Sequence, residues 1–288
     1  MSQSLAVPVG VYDSGFGGLT VLRALRKRLP HLDYIYLGDS GRAPYGGRDA
    51  QTILDFAEQS VERLFAEGCR VIVVACHTVS CVALRHLQQR YGTADRRVLG
   101  VTIPAAEAAV EMTQGEIGFL GTSRAVASHT FRTEVFKLNP LIRVREIGAP
   151  LLASIVEDAL EESEIARSAV AHYLQLIGSV DTLVLGCTHF PLLWGNFAKS
   201  VPPSMVILDP ANAVAERFVA WRDRYPELAP FGLGRLRVLS SGDIVRFSFH
   251  GARFLGAELP PVERLAEIDG VLALCPDASE PFGQVVRG

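Results

Sequence analysis

At 288 residues, 49% of them hydrophobic, the chain has material for one large domain or two of ordinary size with real apolar cores. A formal net charge of −3 leaves no strong electrostatic case for binding nucleic acid or an anionic membrane, and the cluster Arg23, Arg26, Lys27 and Arg28 reads as a solvated helix face. No apolar run approaches the roughly 20 residues that span a bilayer, and the first eight residues lack a basic stretch leading into a long apolar one, so a signal peptide is not expected. The expected location is the cytoplasm, where Cys69, Cys76, Cys81, Cys187 and Cys275 should be free thiols.

The first predicted strand, residues 7–12, runs into Asp13-Ser14-Gly15-Phe16-Gly17-Gly18 and then a helix carrying Leu19, Leu22, Leu25 and Leu29. Such a turn can offer backbone N–H groups to an anion. With Asp39 at the end of the next strand it invites a dinucleotide reading. Two details oppose that reading: Thr20 stands where the fingerprint needs its last glycine, and Asp13 would set a carboxylate beside the pyrophosphate. Asp13 is better suited to hold a substrate ammonium group or to aid a proton transfer, with a simple cap or turn role as the alternative.

The second strand, residues 34–37, precedes the turn signal Ala43-Pro44-Tyr45-Gly46-Gly47, by itself only a loop. A third, residues 71–75, ends at Cys76-His77-Thr78. Further on, residues 117–120 end at Gly121-Thr122, and Val184-Leu185-Gly186 ends at Cys187-Thr188-His189. Between them Glu157 lies in an apolar helical run, where a solvent-facing carboxylate is expected, and His129 and His172 have no recognisable partner. Ser240-Ser241-Gly242-Asp243 reads as a polar loop or helix cap, and the Pro- and Gly-punctuated stretch from about Pro260 suggests no role.

Unbroken apolar strands alternating with helical patterns predict parallel sheets covered on both faces, with site residues at the carboxyl ends of strands. A weak internal repeat sharpens this. Residues 9–14 resemble 117–122, residues 73–78 resemble 184–189, and residues 103–106 resemble 209–212, three matches in one order and each roughly 110 residues apart. The expected fold is therefore α/β: two pseudo-symmetric parallel-sheet α/β domains, residues 1–100 with 212–288 and residues 101–211, with the active site in the cleft between them.

In that arrangement Cys76 and Cys187 approach a bound ligand from opposite sides. Inverting a carbon centre needs a base on one face and an acid on the other, and a thiol with an ordinary pKa of about 8.5 can be tuned to serve as either. Cys69, Cys81 and Cys275 read instead as small buried hydrophobes. No paired Cys-x-x-Cys or His-x-x-x-His unit occurs and the Cys76–Cys81 gap fits no common zinc spacing, so no metal is expected.

With Asp13-Ser14-Gly15-Phe16-Gly17-Gly18, Pro44-Tyr45-Gly46, Ala75-Cys76-His77-Thr78 and Gly186-Cys187-Thr188-His189-Phe190-Pro191-Leu192-Leu193 in this order, the chain resembles the bacterial glutamate racemases of the aspartate/glutamate racemase superfamily, from about Val9 to Gly256. The resemblance implies two catalytic thiols, Cys76 and Cys187, assisted by Asp13 and His189. It implies Ser14, Tyr45, Gly46, Thr78 and Thr188 as substrate ligands, with Asp13 and His189 also at the substrate. It also implies a cofactor-independent racemisation of glutamate that supplies D-glutamate for peptidoglycan, and a homodimer. Close rivals are an aspartate racemase or related isomerase, and a ligand-binding protein that kept the frame. One departure is His77, where the family has Asn; it is expected to keep the substrate contact, and if protonated would favour the Cys76 thiolate. Another is Ala125, where the family often has Thr.

Overall fold

The computed structural model describes residues 7–275, so the expectations about the first six residues and the far end of the tail lie outside the described residues. Strand β1 (Val9–Asp13) leads through the glycine-rich turn to α1 (Leu19–Arg28), followed by β2 (Tyr34–Gly38), α2 (Ala50–Ala66) and β3 (Val71–Val74). Two short helices, α3 (His77–Val82) and α4 (Leu84–Tyr91), precede β4 (Arg97–Gly100). Helix α5 (Thr102–Met112) then opens the second half: β5 (Glu116–Gly121), α6 (Ser123–Ala127), α7 (Thr130–Leu138), β6 (Arg143–Gly148), α8 (Pro150–Glu157), α9 (Glu164–Ile177) and β7 (Thr182–Gly186). A 3-10 turn at Phe190–Leu193, α10 (Trp194–Ser200) and β8 (Val206–Leu208) complete it. Helix α11 (Ala211–Arg224) returns the chain to the first sheet, which ends with β9 (Leu236–Ser240), α12 (Ile244–Leu255), β10 (Val262–Ile268) and β11 (Val271–Leu274).

Two sheets result. The larger has the order β11-β10-β9-β2-β1-β3-β4, the smaller β6-β5-β7-β8. Every pairing is parallel except β10 with β11, which form an antiparallel edge hairpin. The sequence suggested no role for this tail; it caps the sheet edge through Leu265 and Leu272, both buried. Sheet membership changes after Gly100 and changes back after Leu208. The run β2-β1-β3-β4 recurs as β6-β5-β7-β8, and the repeat-related segments fall on β1 and β5, on β3 and β7, and at the starts of α5 and α11.

The apolar runs explain this layering. All residues of β1, β3 and β7 are buried, as expected of parallel strands with helices on both faces. On α1, Leu19, Leu22 and Leu25 are buried at helical spacing, while Arg23, Lys27 and Arg28 face solvent; each such leucine contributes about 1.5–3 kcal/mol. Asp243 caps α12 by accepting a hydrogen bond from the Arg246 N–H at 2.7 Å, the cap role open at its sequence position. Among the described residues no helix is long and apolar enough to cross a membrane.

Candidate active site

Parallel strands bring the polar residues that follow them to one end of each sheet, and here the two ends face each other. Ser14 follows β1, Cys76 follows β3, Thr122 follows β5 and Cys187 follows β7. Between them lies a cavity of about 280 Å³. Of the residues expected at the site, Ser14, Tyr45, Gly46, Cys76, His77, Thr78, Cys187, Thr188 and His189 all line it. Asp13 does not. It is fully buried behind the wall, its Oδ1 accepting from the Gly15 N–H at 2.9 Å and its Oδ2 from the Thr188 hydroxyl at 3.4 Å. The expected direct contact of Asp13 with a substrate amine is thereby corrected: a side chain at the last position of a buried strand folds back onto its own turn, and Asp13 bears on the cavity through Thr188.

The two cysteines sit in different electrostatic settings. Burial, and then the charge of Asp13, push the Cys76 thiol up to about 12, against hydrogen bonding from Ser14, whose Oγ is 3.4 Å away, and from the Val79 N–H. Cys76 therefore carries its proton at neutral pH in the unliganded site. Across the cavity, the Cys187 sulfur is 3.8 Å from His189 Nδ1. Burial alone would lower His189, but Cys187 on one side and Glu157 on the other hold it up to about 10, so it is an imidazolium at neutral pH. Glu157 Oε1 is 3.2 Å from His189 Nε2, close enough for an ion pair though not aligned as a hydrogen bond. Although burial pulls the other way, His189 holds Glu157 below its usual range.

Glu157 also corrects the sequence reading. It is not a solvent-facing carboxylate but lines the cavity, with its side chain 29% exposed. Nothing local marks it, because its partner lies 32 positions along the chain. Thr122 is another residue that motif reading missed. Its hydroxyl lies 2.8 Å from that of Thr78, joining the two halves at the cavity wall. A signal did exist, since the internal repeat sets Thr122 opposite Ser14.

His77 is buried to 4% exposure and lines the cavity, with neither ring nitrogen hydrogen-bonded. Burial pulls it down to about 4, so it is neutral at physiological pH, and the expected electrostatic push on the Cys76 thiolate has no charge behind it. A neutral imidazole still offers one donor and one acceptor to a ligand. Among the described residues, no lysine or arginine lines the cavity. Its polar lining includes the hydroxyl-bearing Ser14, Thr78, Thr122 and Thr188 and the His189 imidazolium.

The remaining titratable motifs are accounted for elsewhere. Asp39, the acid of the dinucleotide reading, is spent internally: it pairs with Arg42 at 2.7 Å and accepts from the hydroxyls of Tyr45 and of Ser241, the latter at 2.5 Å. His129, expected to lack a partner, is exposed and lies 3.0 Å from Glu146, while His172 is exposed. Cys69, Cys76, Cys81, Cys187 and Cys275 are free. Among the described residues no group of three or more His, Cys, Asp or Glu is disposed to hold a metal ion.

Residues 20–218 match a family model described as Asp/Glu/Hydantoin racemase. A glutamate racemase of Paracoccus denitrificans is 36% identical over 261 residues, 86% of this chain and 96% of that protein. Among solved structures, a glutamate racemase isoform from Bacillus anthracis superposes with a TM-score of 0.85 at 30% identity, covering 92% of this chain and 98% of its own. The glutamate racemase of Francisella tularensis, solved in complex with D-glutamate, does so with a TM-score of 0.83 at 27% identity, covering 91% and 98%.

Proposed function

The chain belongs to the Asp/Glu/Hydantoin racemase family, and from that membership we infer that it interconverts L- and D-glutamate with Cys76 and Cys187 as its acid/base pair. It is an isomerase, an amino-acid racemase. The observation that carries the residue assignment is that two free thiols, one from each half, line one cavity together with hydroxyl-bearing residues, His77, His189 and Glu157.

In one direction the Cys187 sulfur, beside protonated His189, takes the α-proton, and the Cys76 thiol gives its proton to the opposite face of the carbanion. The products are the inverted amino acid, a Cys187 thiol and a Cys76 thiolate. The reverse direction begins from that state, so microscopic reversibility assigns each cysteine to one enantiomer. The side chains of Thr78, Thr122, Thr188, Ser14 and neutral His77, with the backbone of Tyr45 and Gly46, supply the hydrogen bonds that hold the carboxylates and amine and stabilise charge building on the α-carboxylate. Asp13, whose own proton affinity burial raises, bears electrostatically on Cys76 and is the group suited to share its proton. Protein groups alone carry the proton transfers in this scheme. The D-glutamate formed supplies peptidoglycan synthesis.

The same reading assigns residues 1–100 and 212–288 to one domain and 101–211 to the other, and makes the protein a cytoplasmic homodimer. Free thiols at both catalytic positions suit a reducing compartment, and the dimer rests on the family resemblance.

The test is the loss of circular dichroism of L-glutamate, with L-aspartate alongside, for the wild type, Cys76→Ala and Cys187→Ala. Loss with glutamate alone, abolished by either substitution, is the expected result. Reaction of aspartate alone would overturn the substrate, and full activity of both single variants would overturn the two-thiol scheme.

A further inference from the structure

The cavity has walls from both halves, and something has to hold those walls together over a bound ligand. Tyr45 and Gly46 enter the wall from the loop between β2 and α2, which belongs to the first sheet. Opposite them is the start of α6, in the second half. Thr122 caps α6, accepting from the Ala125 N–H at 3.2 Å. Gly46 lies so close to Thr122 that a Cβ on it would sit 2.9 Å from the Thr122 Cβ. Only a residue without a side chain allows this approach.

Arg124 spans the same seam twice. Its backbone N–H donates to the Gly46 carbonyl at 3.1 Å, and its side-chain Nε donates to the Arg48 carbonyl at 2.7 Å. The loop receiving these bonds is itself braced from behind. Arg48 donates from Nε and Nη2 to the Arg42 carbonyl at 3.1 and 2.9 Å, and Arg42 pairs with buried Asp39, which also accepts from the Tyr45 hydroxyl. A continuous set of hydrogen bonds therefore runs from the second half, through Arg124, to Tyr45 in the cavity wall. Arg124 itself does not line the cavity.

We propose that Arg124 is a positioning residue that latches the residue 43–48 loop of one half onto the α6 start of the other, setting the width of the cavity over bound amino acid. The guanidinium–carbonyl bond is charge-assisted, stronger than a neutral one. Removing the side chain leaves the backbone bond to Gly46 in place but frees the outer end of the loop. Tyr45 and Gly46 then spend more time away from the ligand. Binding weakens while the thiols, which follow β3 and β7 and are not part of the loop, keep their chemistry.

This inference rests on the racemase reading for its kinetic arm only. Arg124→Met, which keeps the apolar stem, is expected to raise the KM for L-glutamate about tenfold with kcat within about twofold. Arg124→Lys, which can still donate to one carbonyl, is expected to recover most of that loss. Hydrogen exchange of the backbone amides of residues 43–48 is expected to accelerate in Arg124→Met and to return toward the wild-type rate in Arg124→Lys. An unchanged KM, or a fall confined to kcat, would overturn the proposal, as would unchanged exchange in the loop. If the wild type racemises nothing, the functional reading fails and the exchange measurement alone decides: acceleration across 43–48 supports the latch and its absence refutes it.

Discussion

His189 is a residue whose charge is decided by its two neighbours. Left to burial it would be neutral; Cys187 and Glu157 together hold it up to about 10. His189 is raised above its unfolded value, so its share of stability is present in full below the ordinary imidazole range and is lost as pH rises through about 10. Glu157 is lowered, so its share is present above the ordinary carboxylate range and is lost as pH falls. Removing the carboxylate charge with Glu157→Gln should therefore lower thermal stability most between those two ranges, near pH 5 to 6 as an approximate window. The gap between the two proteins should narrow toward about pH 10. Thermal midpoints measured across that span check this, and a gap independent of pH would show that Glu157 acts by packing and not by charge. Burial pulls His77 in the same direction, and with no ionic neighbour to offset it His77 stays neutral. Two histidines, each one or two residues from a cavity cysteine, thus end in different protonation states for reasons that spacing alone does not carry.

Between strand and helix, the turn after β1 is the element that lets the halves close on each other. At Gly17 an added Cβ would overlap the Thr188 hydroxyl and lie 2.7 Å from His189 Nδ1, both contributed by the other half. Glycine is needed here for close approach, not for phosphate binding, although the motif suggested an anion cradle. Gly17→Ala should push Thr188 and His189 off their positions. Overpacking of this kind costs about 1–3 kcal/mol, read as a lower urea midpoint at unchanged slope. Racemisation should fall far more than that loss of folded protein explains. If activity per folded molecule were unchanged, Gly17 would be a packing residue only. The loop after β2 shows the same division of labour: Asp39, Arg42 and Ser241 form its frame, and Tyr45 and Gly46 reach the cavity.

Across the whole molecule, the repeated strand order places the cavity where neither half could build it alone. Hydrogen bonds cross the junction from Thr78 to Thr122 and from Thr188 to Asp13, so a ligand seated there gains contacts from both halves at once. It should then stabilise the molecule as a single unit. By mass action, glutamate at a hundredfold excess over its Kd is expected to add about 2.7 kcal/mol and to raise Tm as one transition. Calorimetry with and without glutamate checks this. Two transitions, only one of them moved by ligand, would show that the ligand engages a single half.

The α/β class, the repeat and the two cysteines were legible in the chain because each is written locally. Buried parallel strands read as unbroken apolar runs, a duplicated half repeats its strand ends, and a strand-terminal cysteine beside polar residues stands out in a hydrophobic sequence. Glu157, Asp13 and Arg124 were not legible, because what each does depends on a partner in a distant segment. Glu157 reads as a surface acid until α8 brings it to His189; Asp13 reads as a ligand until its side chain turns back to Gly15 and Thr188; Arg124 is one arginine among many until its bond to the Arg48 carbonyl is seen. Pattern along a chain records which faces must be buried. Which charged group meets which, and whether burial or a partner sets its protonation, is decided only when packing fixes the distances and the local dielectric.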